Sequence, residues 1–205
     1  ISGGSTPIGL FTEILNQIDN KFEIKSNFFW VDERCVEPSS FDSNFGSANK
    51  HFFSKANISN NNIFRIRGEE NPKIEASNYT ELLKTKIEII NNIPSLDLCL
   101  LGIGGDGHTA SIFPHELKKL SDKTDCVVGI NPESGQKRVS LSIKQINNSK
   151  EVIFHVCGSG KKDVVDMIIS KRDNYLDLPA SHILPKSKNL SWYLDFDSAE
   201  TFMGT

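Results

Sequence analysis

Residues 96–114 read Leu-Asp-Leu-Cys-Leu-Leu-Gly-Ile-Gly-Gly-Asp-Gly-His-Thr-Ala-Ser-Ile-Phe-Pro. The apolar run 96–101 has the length and composition of a buried strand, and the glycines from Gly102 to Gly107 close it. Working outward, the chain alternates between helical and strand patterns. Residues 7–19 carry Ile8, Phe11, Ile14, Leu15 and Ile18 at helical spacing. Residues 28–31 (Phe-Phe-Trp-Val) read as a buried strand running into Asp32-Glu33-Arg34. Residues 44–55 predict a helix with Phe45, Ala48, Phe52 and Phe53 inward, and 63–66 a strand. The longest predicted helix is 72–91, with Ala76, Tyr79, Leu82, Leu83, Ile87 and Ile90 on one face. Further strands are expected at 126–130, 139–143, 152–157 and 190–194, with a loop and helix over 158–170. The Asn-rich 57–62 reads as a surface loop. Continuously apolar strands alternating with helices predict an α/β fold whose largely parallel sheet is covered by helices on both faces.

Bulk properties narrow the classes. The 205 residues suit a single domain over 1–205, with 38% apolar and 24% charged residues, as in an ordinary globular protein. No apolar stretch approaches the 18 or so residues of a membrane span. The net charge of −3 and scattered Lys and Arg argue against a nucleic-acid surface. Cys35, Cys99, Cys126 and Cys157 are widely spaced, which suits a reduced, cytoplasmic setting. The chain opens at Ile1-Ser2-Gly3-Gly4, where a strand should already be running. A strand is therefore expected upstream, which leaves organelle targeting open.

Four loops follow strands, and in such sheets ligands gather at strand carboxyl ends. In Ser2-Gly3-Gly4-Ser5-Thr6-Pro7, glycines admit an anion to the backbone, with Thr6 as the helix cap and Pro7 in first position. A plain capped turn fits that stretch equally well. Arg34 has the fork geometry for a phosphate or carboxylate, and the competing reading is a surface ion pair. Gly102 to His108 contains G-x-G-x-x-G, but Pro114 arrives seven residues after Gly107, leaving no room for the long helix a dinucleotide site needs. The loop instead presents Asp106 and His108 two apart. A neutral imidazole is a good general base and a nearby carboxylate orients it. Gly158-Ser159-Gly160-Lys161 lacks P-loop spacing but sets Lys161 at a helix start; a solvated lysine is the alternative. Arg138 begins a strand. His108 and His115 form no zinc motif, Ser111 has no nucleophile elbow, and His51, His155 and His182 read as packing or loop residues.

Taken together, SGGSTP (2–7), WVDERCV (30–36), DSNFG (42–46), LGIGGDGHTASIFP (101–114), RVSLS (138–142), GSGK (158–161) and LPASH (178–182) resemble the 6-phosphogluconolactonase family, in family order. The resemblance implies a Rossmann-like fold, no cofactor or metal, and hydrolysis of 6-phospho-D-glucono-1,5-lactone in the oxidative pentose phosphate pathway. It implies His108 as general base supported by Asp106. Arg34, Lys161 and Ser2, Gly3, Gly4, Ser5 and Thr6 would hold the substrate phosphate. Gly104, Gly105, Gly107 and Arg138 would contact the rest, with glycine-loop N–H groups facing the oxyanion. Some members are fused to a glucose-6-phosphate dehydrogenase, so such a partner domain outside this chain stays open. The related glucosamine-6-phosphate deaminases share the first loop and the Asp-Gly-His turn but continue to an Asn-Glu-Pro sequence absent here. A non-catalytic sugar-phosphate binder is the third reading.

Overall fold

The computed structural model describes residues 1–4, 6–19, 21–120 and 123–203, so Ser5 of the first loop lies outside the described residues. Helix α1 (Thr6–Gln17) precedes strands β1 (Phe28–Phe29) and β2 (Asp32–Arg34), helix α2 (Asn44–Ala48), strand β3 (Ile63–Phe64) and helix α3 (Pro72–Lys86). Strands β4 (Ile89–Ile90), β5 (Ile93–Pro94) and β6 (Cys99–Leu101) follow, then α4 (Leu117–Leu120), β7 (Val127–Ile130), β8 (Lys137–Ser140) and α5 (Ile143–Ile146). Strand β9 (Val152–Val156), helix α6 (Lys162–Ile169), strand β10 (Leu190–Leu194) and helix α7 (Glu200–Met203) complete the order. No helix among the described residues is long and apolar enough to cross a membrane.

The α/β class is as expected. Strands pair in parallel as β10-β9-β6 and as β1-β3. Residues 1 and 2 touch both groups: Val31 N–H donates to the Ile1 carbonyl (2.9 Å), and the Ser2 hydroxyl to the Leu100 carbonyl (2.8 Å). A three-stranded antiparallel unit, β2-β8-β7, is added to this scheme. The chain reaches it without a break after β1, because Leu141 N–H donates to the Val31 carbonyl at 2.7 Å.

Several boundaries differ from the sequence reading. Helix α1 includes Thr6, which the sequence reading sets outside the helix as its cap. Helix α3 starts where its signals lie, with Asn71 accepting from the N–H groups of Lys73 and Ile74 ahead of Pro72. It stops at Lys86 rather than running to residue 91. The β-branched Ile87, Ile89 and Ile90 favour extended backbone, and Asn91 and Asn92 both take left-handed conformations (φ 55° and 63°), turning the chain into the β4–β5 hairpin. The strand expected over 139–143 ends at Ser140, because Ser142 and Gln145 form a capping box that starts α5.

The core is one connected cluster of buried apolar side chains. Its aromatic part joins α1 to the residues after α2, with Phe11 stacked on Phe52 at 5.0 Å. Tyr79, 1% exposed, carries a second tie from α3 to the sheet. Its hydroxyl accepts from Trp30 N–H (2.8 Å) and faces the carbonyls of Trp30 (3.2 Å) and Phe64 (3.1 Å). Removing that oxygen leaves a buried strand N–H unpaired. Tyr79→Phe is therefore expected to lower unfolding free energy by about 1–3 kcal/mol in urea denaturation. An unchanged midpoint would mean that the hydroxyl bonds contribute nothing net.

Candidate active site

A cleft of about 230 Å³ opens at the carboxyl ends of β6 and β9 and beside β2 and β8. Of the residues singled out from sequence, Ser2, Gly3, Gly4, Thr6, Arg34, Gly104, His108, Arg138 and Lys161 line it. Asp106, Gly105 and Gly107 stand behind the lining.

His108 is held by its own loop. Its Nδ1 lies 2.6 Å from Asp106 Oδ1, and its backbone N–H also donates to that oxygen (3.1 Å). The Phe113 ring packs 4.7 Å from the imidazole. Burial opposes ionisation of Asp106, but the hydrogen bonds and charge of His108 outweigh it and hold the carboxyl below its ordinary value. An ionised Asp106 can only accept, so Nδ1 carries a proton, and in the neutral ring Nε2 is then the nitrogen with the free lone pair. Gly104 makes this contact sterically possible: a Cβ there would fall 2.1 Å from His108 Nδ1 and 2.5 Å from Asp106 Oδ1. The N–H groups of Gly104 and Gly107 are bonded inside the loop, to the carbonyls of His108 (2.8 Å) and Gly104 (3.0 Å). These two are therefore not available to an oxyanion, against the expectation from sequence. Gly107 (φ 80°) abuts Leu178, and its carbonyl accepts from Ala180 N–H (3.0 Å), so residues 178–182 brace the loop.

The cleft is also lined by cations. Arg34 and Arg138 face each other in the β2–β8 register. Burial, and next the Arg34 charge, push the Arg138 guanidinium below its ordinary value, partly offset by nearby carboxylates. Arg34 Nη1 donates to the Asp42 carbonyl (2.6 Å), while Arg138 lies over Phe113 (5.5 Å), the ring that also packs on His108. The Nε atoms of both arginines are buried without a hydrogen-bond partner among the described residues. Two guanidinium groups at one wall, neither in a salt bridge among the described residues, make an anion site. Lys161 closes the short turn before α6. That turn is anchored from behind, because Gly158 N–H (φ 96°) donates to both Asp195 oxygens at 3.1 and 2.9 Å.

Sequence reasoning missed part of the floor. Asp32, Asn44 and His155 also line the cleft, and His155 had been read as a packing residue. Asp32 is buried and accepts from Ser111 Oγ (2.6 Å) and Asn44 Nδ2 (3.3 Å). The Asn44 amide nitrogen also donates to the Asp32 carbonyl (2.9 Å). A Cβ at Gly3 would fall 1.8 Å from Asn44 Oδ1, so only glycine lets the first loop lie on this floor. The strand-end position of Asp32 was a signal; nothing local marks Asn44.

The model of the family described as glucosamine-6-phosphate isomerases/6-phosphogluconolactonase matches residues 1–192. The chain is 37% identical over 188 residues to the 6-phosphogluconolactonase of Treponema pallidum (strain Nichols), covering 91% of this chain and 77% of that protein. It is 31% identical over 200 residues to the GDH/6PGL endoplasmic bifunctional protein of Homo sapiens, covering 97% of this chain and 25% of that longer one. The solved 6-phosphogluconolactonase of Trypanosoma brucei superposes with a TM-score of 0.86 at 29% identity, covering 98% of this chain and 84% of that one. The chain thus belongs to the glucosamine-6-phosphate isomerase/6-phosphogluconolactonase family.

Proposed function

We propose that this protein hydrolyses 6-phospho-D-glucono-1,5-lactone to 6-phosphogluconate, a step of the oxidative pentose phosphate pathway. One observation carries the reading: a single cleft is lined by His108, which Asp106 holds, and by Arg34, Arg138 and Lys161. The substrate has matching parts, a phosphate dianion and a lactone carbonyl several bonds away. Cytoplasmic action suits the four cysteines, all present as free thiols.

In the reaction, His108 Nε2 takes a proton from a water as its oxygen bonds to the lactone carbonyl carbon. The carbonyl oxygen becomes an oxyanion. Arg138, which lines the same cleft and packs on the same Phe113 ring as His108, is the cation assigned to that charge. Collapse of the tetrahedral species re-forms the carbonyl and breaks the bond to the ring oxygen, which receives the proton from His108. The product acid then ionises. Asp106 stabilises the imidazolium formed midway and fixes the ring. Arg34 and Lys161, with the Gly3–Gly4 backbone, hold the phosphate, so binding energy remote from the carbonyl orients it.

Freshly made 6-phosphogluconolactone, assayed by coupling product to 6-phosphogluconate dehydrogenase with spontaneous opening subtracted, tests this directly. His108→Ala is expected to lower kcat by about 10²–10⁴ while the fold is kept. Turnover near that of the unchanged protein would remove His108 as the base. Arg34→Ala is expected to raise KM by about tenfold or more with a smaller change in kcat. An unaltered KM would take Arg34 out of the phosphate site.

A further inference from the structure

Asp32, Glu33 and Arg34 are consecutive residues of one extended strand, so the outer two share a face and the middle one points the other way. Asp32 and Arg34 line the cleft, whereas Glu33 turns into the protein, where it is 2% exposed. A carboxylate so placed needs full hydrogen bonding. It has four donors. Oε1 accepts from the N–H groups of Arg34 (2.8 Å) and Asn44 (2.7 Å). Oε2 accepts from the Ser43 hydroxyl (3.0 Å) and Phe45 N–H (2.7 Å). Three of the four belong to residues 43–45, the start of α2.

Capping alone does not account for this arrangement. Ser43 already caps α2, its hydroxyl accepting from Gly46 N–H at 2.9 Å while donating to Glu33. Burial pushes the Glu33 carboxyl above its ordinary value despite opposing hydrogen bonds from Phe45, Asn44 and Arg34. A raised folded-state value for an acid is a stability penalty that is fully present above the folded-state value and relieved on acidification. A charge retained at such a penalty marks a place where geometry matters more than stability.

What the carboxylate holds is the cationic side of the cleft. Residues 42–45 supply the Asp42 carbonyl that receives Arg34 Nη1, and Asn44, whose amide braces Asp32. We propose that Glu33 is the positioning residue of the phosphate site: by clamping the end of β2 to the start of α2, it fixes where the Arg34 guanidinium points. The proposal rests on the assignment of Arg34 to the substrate phosphate.

The test is a double-mutant cycle with Glu33→Gln and Arg34→Ala, read by calorimetric titration with 6-phosphogluconate and by lactone turnover. The amide keeps the shape but opposes one N–H group with its own donor. Glu33→Gln is expected to weaken 6-phosphogluconate binding by about tenfold and to raise KM similarly, with kcat within about threefold. In the Arg34→Ala background the same change is expected to add less than about twofold, because coupled residues are not additive. A merely structural role predicts a lower melting temperature with kcat and KM both impaired, and the same loss in either background; that result, or unaltered binding, overturns the proposal. Should Glu33→Gln not fold, Ser43→Ala withdraws one donor and keeps the carboxylate; because it also removes the Gly46 N–H cap, its melting temperature is read alongside, and binding is expected to weaken about threefold only when Arg34 is present, whereas an equal loss in both backgrounds reports the cap and overturns the proposal. Binding without turnover in the unchanged protein would end the lactonase reading yet leave the cycle decisive for Glu33. No binding of 6-phosphogluconate at all would end both.

Discussion

The extended run from Phe28 to Arg34 serves two sheets, and the cleft depends on it. Its first half pairs in parallel with β3, and its second half pairs antiparallel with β8. Between them, Val31 bonds to Ile1 on one side and to Leu141 on the other. The seam lies beside the carboxyl ends of β6 and β9, where the glycine loop and the Lys161 turn emerge. A parallel sheet alone would offer loops and helix starts to a ligand. The antiparallel unit adds a wall, and its register sets two arginines face to face.

The electrostatics of the cleft follow from that register. Directly opposed like charges destabilise a ladder. The pair also carries buried Nε atoms lacking partners among the described residues. An arriving anionic ligand would relieve the repulsion and supply acceptors, with the phosphate at Arg34 and the oxyanion beside Arg138 in the proposed reaction. The other side has the opposite design. Asp106 is tied to one imidazole nitrogen, and the Gly104 backbone lies so close that no side chain would fit. The result is an imidazole with one nitrogen tied, in the cleft that Arg34, Arg138 and Lys161 also line. That arrangement suits a substrate with a phosphate at one end and an acyl carbon at the other.

Much of this was legible in the sequence. The alternation of apolar runs and helical spacing gave the class, and the strand-end glycine loops pointed to the base and the cations. Local signals sufficed where local physics decides, as at Asn71-Pro72, which starts α3. They failed where tertiary contacts decide. Ile87 and Ile90 continue the apolar stripe of α3, yet the Asn91-Asn92 turn redirects them into a hairpin that Asn148 secures from afar, donating to the carbonyls of Ile90 and Ile93. Asp32 and Ser111 are bonded across 79 positions of sequence, and no spacing rule links them. Asn44 and Glu33 gain meaning only once α2 is docked on β2. His155 sits in a strand pattern that reads as packing, although its strand ends at the cleft.

In the proposed reaction one cleft both holds the phosphate and activates the water that attacks the lactone carbonyl. Comparing kcat/KM for 6-phosphogluconolactone and for gluconolactone without the phosphate, under identical conditions, tests this most directly. A preference for the phosphorylated lactone of about 10² or more is expected, since two or more charge-assisted contacts are lost with the phosphate. Equal rates for both lactones would contradict it.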